Sequence, residues 1–274
     1  MSLLSWWQRK KAVPVSHTTP HSRCLSYQCA AIQGIGARDY QEDSWTLVNA
    51  SDVTQIKKLG LLAVVADGMG GMENGALASA TGIRILSEDF RNMNRNLPLE
   101  KQLTGSLLHA AEAVYGLNRG RGGSTMVATI LFDEKLYYAG VGDSYLYLLR
   151  NDTLIRINRE QNVLHQQYLD CIRNGTVDRS AAQGVSQPQA ITGFLGMRDL
   201  RDVDQLNRAM PLKGGDVLLL CSDGVGGVLQ PEEVQHCLSI PNANEAAAAL
   251  KQAVQVKNRK QQDNFTAIVI CCKK

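Results

Sequence analysis

Six apolar residues in an unbroken run, Leu61–Ala66, stop abruptly at Asp67-Gly68-Met69-Gly70-Gly71. A run this short, bounded by glycines, reads as a buried strand rather than a helix. Val217–Cys221 repeats the design and is followed, after Ser222, by Asp223-Gly224. A chain that buries strands this completely must pack other layers over them. The same strands also carry an aspartate at the point where they end.

The surrounding pattern sets the class. Strand-like runs occur at Leu25–Ile32, Ser44–Val48, Ser124–Phe132, Leu136–Val141, Tyr145–Arg150, Thr153–Ile157 and Phe265–Cys272. Asp133-Glu134 and Asn151-Asp152 read as hairpin turns. Helical periodicity follows Asn74, which is read as an N-cap, and runs again over Leu99–Leu117, with Leu103, Leu107, Ala111 and Val114 on one stripe. A further helix spans about 161–173 and closes at Asn174-Gly175. Pro231 opens a short helix, and Asn244 is read as the cap of one reaching about Val256. Strands in groups and helices in pairs are not βαβ alternation. They predict antiparallel sheets with helices packed outside them, an α+β plan. Residues 1–24, with Pro14, Pro20 and many Ser, Thr and His, read as a flexible tail, and residues 25–274 as one domain. Trp6 and Trp7 in that tail are candidate contacts for a partner or a membrane surface.

Composition removes several functions. Lys plus Arg number 29 and Asp plus Glu 26, a formal net charge of +3, too small a surplus to point to nucleic acid. Seven cysteines with no CxxC pair read as reduced thiols in a cytoplasmic protein. No apolar run approaches the ~20 residues of a membrane span. Zinc is not expected, because no cysteine–histidine spacing of a zinc site occurs.

The chemistry concentrates on acids at strand ends. Asp67 and Asp223 follow buried runs, Asp263 precedes Phe265–Cys272, and Asp43 follows Glu42 just before Ser44–Val48. Carboxylates gathered at one end of a core repel one another, and divalent cations relieve that repulsion. Oxygen ligands without histidine or cysteine favour Mg²⁺ or Mn²⁺. The glycines after Asp67 let backbone approach closely and leave the Gly68 carbonyl available as a ligand. Each Asp-Gly taken alone is an ordinary turn; the order of the blocks carries the argument.

That order is Arg38-Asp39-Tyr40-Gln41-Glu42-Asp43, then Val65-Ala66-Asp67-Gly68-Met69-Gly70-Gly71, Gly123-Ser124-Thr125, Gly142-Asp143-Ser144, Ser222-Asp223-Gly224 and Asp263-Asn264-Phe265-Thr266. It resembles the protein phosphatase 2C (PPM) family, in its bacterial form, over about residues 26–272. The resemblance implies a β-sandwich of two antiparallel sheets flanked by pairs of α-helices, with a dinuclear metal site at one end. It implies hydrolysis of phosphoserine and phosphothreonine by direct attack of a hydroxide bridging two Mn²⁺ or Mg²⁺ ions. Asp67 would bridge both ions, the Gly68 carbonyl would bind one, and Asp223 and Asp263 would complete the second. Asp143 with Asp223 would hold a weaker third ion, Glu42 and Asp43 would hold waters around the metals, and Arg38 would clamp the substrate phosphate. The partners implied are phosphorylated targets of a serine/threonine kinase, with the enzyme a monomer.

The sequence departs from the family pattern at identifiable positions. Gln41 stands where asparagine is common, and Tyr145 where arginine usually follows the Gly-Asp-Ser block. Arg159-Glu160-Gln161-Asn162 replaces an Asp-His opening of the flap, which would span about 159–196. Met69 stands where some relatives have histidine and cannot act as a general acid. Two other readings stay open at this stage: a catalytically inactive relative that binds phosphoproteins, and another two-metal hydrolase such as a nuclease, which would need a basic track.

Overall fold

The computed structural model describes residues 24–70, 73–176 and 184–274 of the chain. The tail reading for residues 1–24, with Trp6 and Trp7, falls almost wholly outside these, as does part of the flap.

The strands are β1 (Ser26–Gly34), β2 (Ser44–Val48), β3 (Leu61–Ala66), β4 (Gly68–Met69), β5 (Gly123–Ser124), β6 (Met126–Phe132) and β7 (Lys135–Val141). They continue as β8 (Tyr145–Arg150), β9 (Thr153–Arg156), β10 (Asp204–Gln205), β11 (Met210–Pro211), β12 (Val217–Cys221) and β13 (Phe265–Lys273). The helices are α1 (Val53–Leu59), α2 (Glu73–Asn92), α3 (Leu99–Asn118), α4 (Val163–Arg173), α5 (Asp223–Gly226), α6 (Pro231–Leu238) and α7 (Ala243–Val256). One sheet has the order β1-β13-β12-β8-β9 and the other β10-β7-β6-β3-β2, with β11 on β7 and a separate β4-β5 pair; every pairing is antiparallel.

Alternation explains why β3 is apolar throughout. Leu61, Ala63 and Val65 point between the sheets and meet Leu218, Leu220, Ile268 and Ile270. Leu62, Val64 and Ala66 point outward beneath Leu86, Phe90, Leu103 and Leu107 of α2 and α3. On the other sheet, Leu219, Cys221 and Val269 face Ala246, Leu250 and Val254 of α7. Helices therefore cover both sheets, and central strands need apolar residues at every position. The expected α+β sandwich is what the chain forms.

The hairpin expectations hold at the backbone. Asp133 and Glu134 have φ of 51° and 56°, as do Asn151 and Asp152, the paired left-handed values of a type I′ turn. Several boundaries differ. Asn74 lies inside α2, which already begins at Glu73. Asn242, not Asn244, caps α7, its side chain accepting from the Asn244 and Glu245 amides. Asn162 caps α4 by accepting from the His165 amide at 2.8 Å, so the helix starts at Val163 rather than 161. The run 124–132 breaks at Thr125, whose amide leaves the ladder for the Asp67 carbonyl at 2.9 Å. α1, too short for its periodicity to stand out, is an addition; it is capped by Asp52 and stopped by Gly60 at φ 89°.

Candidate active site

One end of the sandwich gathers the acids. Asp67 follows β3 directly, Asp223 opens α5 two residues past β12, Asp263 stands two residues before β13, and Asp43 immediately precedes β2. Asp143 lies in the turn between β7 and β8, where Gly142 takes φ 97°. Asp223-Gly224 forms the first turn of a short helix, and a Cβ on Gly224 would sit 1.9 Å from the Asn264 carbonyl. That contact packs the Asp223 segment against the segment carrying Asp263.

The carboxylates feel one another. Burial, followed by the charges of Asp43, Asp223, Asp143 and Asp263, raises Asp67 well above the ordinary range. Asp43 is pushed to about 6 by burial, with the hydrogen bond from the Ser222 hydroxyl pulling the other way. Asp143 also rises to about 6, from burial and then Asp223. Asp223 is raised by burial and by Asp263, and Glu42 by burial against the lowering effect of Arg38. Three buried carboxylate oxygens, Glu42 Oε1, Asp43 Oδ1 and Asp223 Oδ1, have no hydrogen-bond partner. Anionic oxygens buried without a donor are costly, and a divalent cation satisfies them. Among the described residues, no three His, Cys, Asp or Glu side chains converge as a finished ion cage. One reason is visible: Asp263 Oδ2 is turned onto Arg38, whose Nη2 donates at 2.6 Å, while its Oδ1 accepts from the Asn264 amide at 2.8 Å. The acids thus fit hard cations in chemistry, with Asp263 drawn aside.

The supporting frame is built from short polar side chains. Ser222 Oγ donates to Asp43 Oδ2 at 2.8 Å and accepts from the Thr266 amide at 3.0 Å. Ser124 Oγ donates to the Asp67 carbonyl at 3.0 Å, and Thr125 Oγ1 accepts from the Asp67 amide at 3.3 Å. Asn264 Oδ1 accepts from the Glu42 amide, and its Nδ2 donates to the Ile35 and Tyr40 carbonyls. Gln41 donates to the Gly34 carbonyl and accepts from the Asp43 amide. Gly68 and Gly75 clear space: a Cβ on Gly68 would meet the Gly75 carbonyl at 2.3 Å, and one on Gly75 would meet Glu42 Oε1 at 2.2 Å. The predicted site residues Glu42, Asp43, Asp67, Asp143, Asp223 and Asp263 therefore occupy one end of the fold, with Arg38 and Gly68 beside them.

The family model described as Protein phosphatase 2C matches residues 27–169, over half of the chain. The chain belongs to the protein phosphatase 2C family. Members are metal-dependent phosphoprotein hydrolases, and this chain is accordingly a phosphoprotein phosphatase. The serine/threonine phosphatase stp of Listeria innocua is 28% identical over 187 residues, covering 65% of this chain and 71% of that protein. The solved catalytic domain of the serine/threonine phosphatase PstP, in complex with two manganese ions, superposes with TM-score 0.72 at 23% identity, covering 92% of this chain and 100% of that one. A serine/threonine phosphatase from S. agalactiae gives TM-score 0.74 at 20% identity, covering 89% and 99%.

In this protein phosphatase 2C, neighbouring side chains pack against the positions that depart from the family pattern. Tyr145 replaces the arginine common in the family, but Arg156 of β9 lies 3.9 Å over its ring and pairs with Glu160. Arg156 also donates to the Asp143 carbonyl at 3.3 Å. Gln161 grips the same turn: its Oε1 accepts from the Gly142 amide at 2.8 Å, and its own amide donates to the Gly142 carbonyl at 3.0 Å. Its carbonyl accepts from the Thr192 amide and its Nε2 donates to the Asp202 carbonyl, tying the segments around Thr192 and Asp202 to the Gly142 turn. The roles of Ser222, Asn264, Gly75 and Gln161 were not read from sequence. Ser222 and Asn264 lie within the ordered blocks, and Gln161 within the stretch that departs from the family pattern, so their positions were a signal; Gly75 offered none.

Proposed function

We propose that this chain hydrolyses phosphoserine and phosphothreonine in proteins, using divalent Mn²⁺ or Mg²⁺. The carrying observation is the set of buried, donor-less oxygens on Glu42, Asp43 and Asp223 around a central Asp67. The serine/threonine phosphatase names of its relatives support the substrate class.

In this reading Asp67, Asp223, Asp263 and the Gly68 carbonyl hold two cations, and Asp143 with Asp223 a weaker third. Bound there, the cations would supply Lewis acidity and lower the pKa of water. Glu42 and Asp43 back the ligands as hydrogen-bond acceptors, Asp43 being held in place by Ser222. Arg38 exchanges its Asp263 partner for the substrate phosphate, offering a planar pair of donors. Released from Arg38, the Asp263 carboxylate would be available to a cation. Arg38 then neutralises charge growing on the phosphoryl oxygens. The domain reading, residues 25–274 with a flap at about 159–196, belongs to the same proposal, as do a monomeric state and a kinase that makes the substrates. Among the described residues no helix is long and apolar enough to cross a membrane. All seven cysteines are free, and we place the enzyme in the cytoplasm.

The test is phosphate release from a phosphothreonine peptide with Mn²⁺, with EDTA, and with Mn²⁺ for Asp223→Asn. Metal-dependent turnover that collapses in the variant supports the proposal. A folded protein that binds the peptide but releases nothing under any metal would replace it with a phosphoprotein-binding relative.

A further inference from the structure

Next to the proposed centre lies a cavity of about 440 Å³ between the end of β1 and the end of α7. Its walls include Gly36, Ala37, Lys251, Gln255, Arg259 and Gln262, and no carboxylate lines it. Two contacts join its wall to the segments that carry Arg38 and Asp263. Ala37 donates its amide to the Gln262 carbonyl at 2.7 Å, and a Cβ on Gly36 would stand 2.3 Å from the Asp263 carbonyl. The cavity wall is therefore continuous with Arg38 on one strand end and with Asp263 on the other.

The charges separate this cavity from its counterparts. A second cavity, of about 280 Å³ under the flap stem, is lined by Arg156 and Arg159, but both are already neutralised: Arg156 by Glu160, Arg159 by Asp202 and Asp204. On α7 and its exit, Lys257 is likewise satisfied by Glu233 at 2.7 Å. Among the described residues Lys251 and Arg259 have no acidic partner; Arg259 makes one long contact, 3.5 Å to the Val228 carbonyl. Two uncompensated cations facing a cavity without an acid create a local positive potential beside the phosphate clamp.

We propose that this cavity is a substrate subsite that takes an acidic side chain of the phosphoprotein, two or three residues from the phosphorylated one. The inference rests on the phosphatase reading and narrows its substrate class. An extended peptide advances about 3.3 Å per residue, so such a side chain lies roughly 7–10 Å along the chain from the phosphate. Lys251 and Arg259 are then specificity-determining residues. Their contribution is electrostatic and partly exposed, so it is modest and salt-sensitive.

The experiment compares kcat/KM for two phosphothreonine peptides, one with glutamates two and three positions away on both sides, the other with glutamines there. Wild type with Mn²⁺ should favour the acidic peptide roughly fivefold at low salt, the scale of two partly exposed charge pairs. The ratio should fall toward one in 0.5 M NaCl and in the double variant Lys251→Gln/Arg259→Gln. A ratio of one in wild type, or a preference that survives in the double variant, overturns the subsite. Failure to hydrolyse either peptide would instead sink the phosphatase reading. The subsite would then be judged by fluorescence anisotropy of the labelled acidic peptide: tighter binding to wild type than to the double variant supports it, and equal binding overturns it.

Discussion

Arg38 and Asp263, far apart in sequence, meet at 2.6 Å with their side chains 55% and 40% open to water. An exposed pair like this contributes only about 0–1 kcal/mol to stability. Its value lies in what each partner can do when released. Arg38→Ala should leave the thermal midpoint nearly unchanged and lower kcat/KM on a phosphopeptide roughly 10- to 100-fold, the loss of a charge-assisted hydrogen bond of about 1.5–3 kcal/mol. Arg38→Lys should recover only part of it, because one ammonium cannot reproduce the two-donor fork. Full activity in Arg38→Ala would remove the arginine from the reaction.

Ser222→Ala addresses the frame rather than the centre. Asp43 Oδ1 already lacks a donor, and the variant would strip Oδ2 as well and leave the Thr266 amide without its acceptor. Leaving buried polar groups unpaired costs about 1–3 kcal/mol. Urea denaturation of the metal-free protein should show a loss on that scale. A change below about 0.5 kcal/mol would mean that Asp43 finds another donor.

Gly75→Ala separates helix propensity from site geometry. Alanine is the better helix former by about 1 kcal/mol. The new Cβ would nevertheless lie 2.2 Å from Glu42 Oε1, so the carboxylate must move. Manganese affinity by calorimetry should fall about tenfold, as when a group behind a metal ligand is displaced. Unchanged affinity would show that Glu42 does not support the metals.

The acidic cluster also fixes a pH dependence. Asp43 and Asp143 titrate at about 6 when folded, and burial beside the other acids raises Asp67 as well, while unfolded aspartate titrates near 4. Folded protein therefore binds more protons than unfolded protein between about pH 4 and 6. By linkage, the cluster's contribution to stability falls as pH rises through that window. In EDTA the melting temperature should be higher at pH 5.5 than at pH 8. Manganese should raise it more at pH 8, where the carboxylates are free to bind. A metal-free melting temperature that rises toward pH 8 would contradict a shared, proton-loaded cluster.

Much of this was legible in the chain because periodicity and short polar motifs leave marks in sequence. β3 and β12 announce themselves by apolar residues on both faces, and the I′ turns by Asp133-Glu134 and Asn151-Asp152. The aspartates are visible because they stand where apolar runs stop. What is not legible depends on distance in the chain. Nothing local says that Ser222 serves Asp43, that Gly75 makes room for Glu42, or that Gln161 fastens the Gly142 turn. Caps slip by a residue or two, as at Asn242 against Asn244, because neighbouring asparagines have equal intrinsic capping ability and only tertiary packing chooses between them.

β1 and β13 pair along nine residues, from Ser26 against Lys273 to Gly34 against Phe265. The loop bearing Arg38 and the residue Asp263 are thus brought together by the first and last strands of the sandwich. During synthesis the first of these strands must wait for nearly the whole domain to be translated before its neighbour exists. Strand pairing over such a separation forms late. A ribosome-bound chain that has not yet released Phe265–Lys273 lacks the strand that holds β1 in place, so the loop bearing Arg38 cannot be seated against Asp263 until β13 has left the ribosome.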